Sequence, residues 1–147
     1  MDSYQTLNDV LVNLFRDIMD IEQKAVATQE FHDITSNDLH VIEVIGVGSP
    51  KNMSTIAKEL SVTVGTLTIA VNGLVKKGYV EKLRGEEDAR IVYVTLTKQG
   101  KKIDSVHRYF HESMVRSIIS GMSEQEQQVL YQGILKLDLF LKKKISE

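Results

Sequence analysis

The chain has 147 residues, 42% of them hydrophobic and 26% charged, with no cysteine and a formal net charge of −2. That length supports one domain with a real core, and the lack of cysteine excludes a disulfide framework and thiolate metal ligation, leaving no sign of an oxidising compartment. No apolar run is long enough to span a bilayer and Met1-Asp2-Ser3-Tyr4 lacks the basic start of a signal peptide, so a cytoplasmic location is expected.

Leu7, Leu11, Leu14, Ile18, Ile21 and Ala25 recur at spacings of four and three, the period of one helical face, and predict a long amphipathic first helix. Thr35-Ser36-Asn37-Asp38 is a capping-type start for a second helix over residues 39–45, which Gly46-Val47-Gly48-Ser49-Pro50 stops. Residues 52–100 read as two short helices, a tight turn and a two-stranded ribbon, the pattern of a winged helix-turn-helix. With Ala57 at the helix crossing, Ile56, Leu60, Val62, Leu67 and Ala70 fall on the required apolar positions, while Ser61 takes a turn position where glycine is often preferred. Asn52 and Thr63 supply oxygens to cap the two helices, and Gly78, after Lys76 and Lys77, ends the second. β-Branched and aromatic enrichment predicts strands over 79–83 and 91–95, with the polar residues 84–90 as the wing tip. Thr97 opens a long helix striped with Ile103, Val106, Phe110, Met114 and Ile118, which Gly121-Met122 breaks. Ser123-Glu124-Gln125-Glu126 is a second capping box, before a last helix lined by Leu130, Ile134, Leu137 and Leu141.

Charge is unevenly spread. Residues 1–50 hold 2 Lys/Arg against 9 Asp/Glu, residues 51–104 hold 10 against 6, and residues 105–147 hold 6 against 5. Cations therefore collect on the helix-turn-helix, as expected when only part of a molecule meets phosphates. Thr63, Thr66, Thr68, Ile69 and Asn72 are the candidate base readers: Asn72 can bond an adenine edge bidentately, the threonines can reach bases or phosphates, and Ile69 can touch a thymine methyl. An A·T-rich operator is expected. Lys76, Lys77, Lys82 and Arg84 are expected on phosphates. Gly73, inside a helix, costs on the order of 1 kcal/mol relative to alanine; close backbone approach to DNA is the simplest reason, a harmless surface glycine the other. The surplus apolar surface of the terminal helices predicts a homodimer, whose recognition helices would enter successive major grooves about 34–36 Å apart on a palindrome. No glycine-rich phosphate loop, nucleophile elbow or third histidine close to His107 and His111 supports catalysis, so no enzyme is expected. The alternative class is a protein-interaction winged helix that never touches DNA. Arg84, Arg90, Lys76 and Lys77 weigh against it.

Asp88-Ala89-Arg90 followed by Ile91-Val92-Tyr93-Val94-Thr95-Leu96-Thr97-Lys98-Gln99-Gly100 resembles the D-x-R wing and L-T-x-x-G helix start of the MarR family of bacterial transcription regulators. The resemblance covers nearly the whole chain. It implies a mainly α fold with a small β-wing, about six helices plus a β-hairpin, as a two-fold dimer. Within a single domain, 1–147, it implies dimerisation helices at 1–30 and 101–147 and a winged helix-turn-helix lobe at 35–100. It further implies that Arg90 enters the minor groove, where narrow A·T-rich DNA has a deepened negative potential, with Asp88 as its brace. Where more basic members often carry arginine in the recognition helix, Ile69 and Gly73 stand here.

Phe31-His32-Asp33-Ile34, Leu39-His40-Val41-Ile42-Glu43-Val44-Ile45-Gly46, Gly65-Thr66-Leu67-Thr68 and His107-Arg108-Tyr109-Phe110-His111-Glu112-Ser113-Met114-Val115 are together similar to the branch of that family that represses fatty-acid synthesis in Gram-positive cocci and their relatives. This implies a corepressor, an acyl carrier protein bearing a long acyl chain. An acyl tunnel lined by Leu14, Ile18, Ile42, Ile45, Val106, Phe110 and Met114 would gain about 0.8 kcal/mol per buried CH₂. The acidic carrier would dock on a basic patch, with Arg16, Lys24, Arg108 and Arg116 as candidates. The alternative effector is zinc, on His107 and His111, four apart on a helix, with His40, His32, Glu22 or Glu43 completing the site. A zinc-sensing branch of the family uses a comparable arrangement together with a cysteine, which this chain lacks. Packing or hydrogen bonding is therefore the expected role of the two histidines, and no metal or cofactor is expected.

Overall fold

A computed structural model describes residues 2–147. The elements follow in the order α1 (Ser3–Val26), α2 (Ser36–Ile45), β1 (Lys51–Asn52), α3 (Met53–Leu60), α4 (Val64–Lys77), β2 (Val80–Arg84), β3 (Val92–Leu96), α5 (Lys98–Ser120) and α6 (Glu124–Ser146). The chain forms two compact units, one reaching to Phe110 and one over His111–Glu147. This is the expected six-helix winged fold. No helix of the described residues is long and apolar enough to cross a membrane.

Side-chain caps set the helix starts. The Asp38 N–H donates to Thr35 Oγ1 at 3.1 Å while the Thr35 N–H donates to Asp38 Oδ2 at 3.0 Å, a reciprocal capping box on α2. Asn52 Oδ1 accepts from the Thr55 N–H at 2.8 Å, and Thr63 Oγ1 from the Thr66 N–H at 3.1 Å, capping α3 and α4. Ser123 and Glu126 repeat the box on α6, and the backbone N–H of Ser123 holds the Glu126 carboxyl below its ordinary pKa.

Both helices of the helix-turn-helix end in left-handed residues. Ser61 (φ 55°) closes α3, with the Val62 N–H reaching Ala57 O at 3.0 Å, and Gly78 (φ 88°) closes α4, with the Tyr79 N–H reaching Leu74 O at 3.0 Å. Among the described residues Ser61 is the only non-glycine at positive φ. It occupies the turn position where the sequence suggested a glycine would sit more easily.

The sheet departs from the expectation in two ways. It has three antiparallel strands in the order β1-β3-β2, because Lys51 and Asn52 pair with Val94 and Tyr93. Two residues are too few to show a period. The hairpin strands also lie one residue later than expected, with Val80 opposite Leu96, Lys82 opposite Val94 and Arg84 opposite Val92. Tyr79 falls outside β2 because its N–H is used to close α4.

Leu39 and Ile42 of α2, Ile56 of α3, Leu74 of α4 and Val94 of β3 are all completely buried, so the core of the first unit lies under the helix-turn-helix and the sheet. The start of α5 is bolted to this core. Thr97 Oγ1 donates to Gly78 O at 2.7 Å and accepts from the Gly100 N–H at 3.1 Å, and the Thr97 N–H donates to Tyr79 O at 3.0 Å. A Cβ on Gly100 would stand 2.0 Å from the Tyr79 carbonyl oxygen, so only glycine permits this approach.

Candidate nucleic-acid interface

α4 presents two faces. Leu67, Val71 and Leu74, spaced four and three apart, are buried, which turns Thr66, Ile69 and Asn72 outward. Ile69 is 78% exposed. Two of the three threonine hydroxyls donate locally. Thr63 Oγ1 donates to Thr66 Oγ1 at 3.0 Å, and half-buried Thr68 donates to Val64 O at 2.7 Å. The Asn72 side-chain oxygen accepts from the Lys82 ammonium, tying the recognition helix to the wing.

On the wing, one cation is held in a defined orientation. Arg90 Nε and Nη2 form a fork on Asp88 Oδ1 and Oδ2 at 3.1 and 3.0 Å, and the Arg90 N–H adds a bond to Asp88 Oδ1 at 3.0 Å. The guanidinium, and then the backbone N–H, hold the Asp88 carboxyl below its ordinary range, while the carboxylate raises Arg90. The Arg90 side chain is nevertheless 91% exposed, so Asp88 aims it without covering it. Lys76, Lys82 and Arg84 are also exposed, as are the tip anions Glu86 and Glu87. Thr68, Lys82 and Arg90 border one open cleft of about 480 Å³ with Asn52 and Ser54 at the start of α3. The sequence identified Asn52 only as a cap and missed Ser54. Their place in the cleft depends on β1, which brings the start of α3 beside the wing.

Lys77 departs from its expected place on phosphates. Its ammonium donates to Asp38 Oδ2 at 2.6 Å and to Asp33 O at 2.8 Å, and its side chain is only 27% exposed. The last turn of α4 lies over the start of α2, so this cation clamps the two helices together. Beside it the Tyr79 phenol donates to Asp33. Burial first, and then that carboxylate, push the phenol above its ordinary pKa.

The expected effector residues are dispersed. Ile42 and Ile45 belong to the buried core, because α2 is the helix against which α3, α4 and β3 pack. Ile18, Val106 and Phe110 are half-buried and Leu14 is 44% exposed, while Met114 lies in the second unit. Of the proposed docking cations, Arg108 is paired with buried Asp104 at 2.7 Å.

The alternative metal residues are not all brought together. His40 is exposed, in an open groove with Asn37, Glu59 and Thr66. His107 is buried, its Nε2 against the buried Glu22 carboxylate. His111 follows one helical turn later and begins the second unit.

A family model described as "Transcriptional regulator SarA/Rot" matches residues 25–106. The HTH-type transcriptional regulator SarZ of Staphylococcus haemolyticus is 31% identical over 102 residues, which are 69% of this chain and 69% of that protein. The HTH-type transcriptional regulator YhjH of Bacillus subtilis is 27% identical over 110 residues; the match takes in 74% of this chain but only 63% of that relative's length. Among solved structures, Streptococcus pneumoniae FabT in complex with DNA is 40% identical, with a TM-score of 0.89 over 96% of this chain and 99% of that one.

Proposed function

The chain belongs to the SarA/Rot, MarR-type family of winged-helix transcriptional regulators, and from that premise we propose that it is a homodimeric, cytoplasmic repressor of fatty-acid synthesis genes that reads a palindromic, A·T-rich operator. The observation that carries the DNA-reading part is the shared cleft, in which Val64 and Thr68 of α4 meet the wing cations Lys82 and Arg90. Thr63, Thr66, Thr68, Ile69 and Asn72 face the major groove. Lys76, Lys82 and Arg84 neutralise phosphates, and Arg90, braced by Asp88, enters the minor groove. Residues 1–30 and 101–147 supply the dimer contacts and 35–100 the reading lobe.

Long-chain acyl carrier protein is the proposed corepressor. Its support is the similarity of residues 31–34, 39–46, 65–68 and 107–115 to the fatty-acid branch of the family. Because Ile42 and Ile45 are core, Leu14, Ile18, Val106 and Phe110 are the first-unit residues left to line an acyl site. Corepressor and operator then strengthen each other's binding by the same factor.

Operator affinity measured by gel shift at two salt concentrations tests both parts, with apo carrier, with carriers bearing acyl chains of several lengths, and with zinc. Affinity should fall with salt through counterion release and rise only with long acyl chains. Arg90→Ala should weaken binding about ten- to a hundredfold. Indifference to every duplex at low salt would end the DNA assignment; a response to zinc alone would end the acyl one.

A further inference from the structure

We propose that Lys82 sets which base Asn72 reads, turning it from an adenine reader into a guanine reader. This rests on the assignment of α4 to the major groove. Lys82 lies on β2 opposite Val94, two residues after buried Val80, and so projects from the strand face that packs on the helices. Its ammonium reaches the Asn72 side chain on the exposed face of α4.

An ammonium has donors and no acceptor, so it must meet the amide oxygen; that fixes the orientation of the Asn72 amide. An unrestrained asparagine offers one acceptor and one donor group, matching the N6 amine and N7 of adenine. With Oδ1 drawn toward the ammonium, the NH₂ is the group Asn72 presents away from Lys82, and the remaining ammonium protons lie on the oxygen's side of the amide. The pair is a donor-only array. Guanine answers it with two acceptors, N7 and O6, whereas the adenine N6 and cytosine N4 amines would face donor with donor, and thymine offers a single acceptor. The neighbouring residues do not compensate. One turn earlier, Thr68 keeps an acceptor oxygen after donating its proton to Val64 O but is half-buried, and Ile69 presents only carbon. The operator then carries one specified guanine in each otherwise A·T-rich half-site.

Selection from random duplex DNA with the full-length wild type, Lys82→Met, Lys82→Arg and Asn72→Ala tests this. Wild type should favour guanine over adenine about tenfold at one position per half-site. Lys82→Arg, which keeps the donors, should keep that preference; Lys82→Met should exchange it for adenine; Asn72→Ala should erase it at that position alone. If Lys82→Met weakens all sequences equally and leaves the preference intact, Lys82 is a phosphate cation only and the proposal is wrong. A wild-type preference for adenine there also overturns it. Failure of the wild type to bind any duplex removes the DNA assignment itself, a different result from wild-type binding with unaltered base choice in the variant.

Discussion

Helices α2 and α6 answer the same problem in opposite ways. In 10 residues α2 buries Asp38, Leu39, Val41, Ile42 and Ile45, whereas α6 buries nothing in 23 residues and exposes Val129, Tyr131, Ile134, Phe140 and Ile145. α1 resembles α6, with only Glu22 and Val26 buried out of 24 residues. A helix gains most of its stability from burying an apolar face. The reading lobe is therefore satisfied by its own chain, while the terminal helices present surface suited to a second subunit. Stability of the lobe should not vary with protein concentration, and that of α6 should.

The harshest way to break this comparison is inside the lobe. Gly100→Ala drives a methyl into the Tyr79 carbonyl, which cannot swing away as a side-chain tip would, and should cost about 3 kcal/mol or more, seen as a lowered urea midpoint. Phe140→Glu, on the uncovered face of α6, should leave the lobe's melting intact and weaken self-association by about 2 kcal/mol, roughly thirtyfold, in sedimentation equilibrium. A folded lobe with unchanged association would exclude α6 from the proposed dimer contact. Ser61→Gly relieves a left-handed serine and should stabilise the lobe by about 0.5 to 1 kcal/mol, the strain removed exceeding the added chain entropy. The smallest effect is on the wing. Asp88 is depressed by Arg90, so the fork persists at all pH values above the ordinary carboxylate range and loosens only as pH falls through the lowered value. Operator affinity of the wild type should therefore show no titration of this pair between pH 5 and 8, while Asp88→Asn should weaken binding modestly across that whole window.

Much of this was legible in local chemistry. The caps Thr35, Asn52, Thr63 and Ser123 and the terminators Ser61 and Gly78 each act within a few residues, and all six stand where the sequence placed them. What escaped depended on partners far along the chain. β1 exists only because Val94 and Tyr93 lie beside it. Lys77 looks like its neighbour Lys76 until Asp38, 39 residues away, takes it as a partner. Ile42 and Ile45 carry apolar side chains like those of any helix stripe, and only the packing of α3, α4 and β3 onto α2 shows how deeply they are buried. Asn72 stands out in the sequence as a candidate base reader, but the lysine that holds its oxygen comes from another element.

The junction at Tyr79 has a mechanical corollary. One residue ends α4 through its N–H, receives α5 through its carbonyl, and leaves no gap because Gly100 rests on that same carbonyl. Such a joint has no slack. A displacement of the first turn of α5 is therefore felt directly at the C-terminal end of α4, with no loop between them to absorb it.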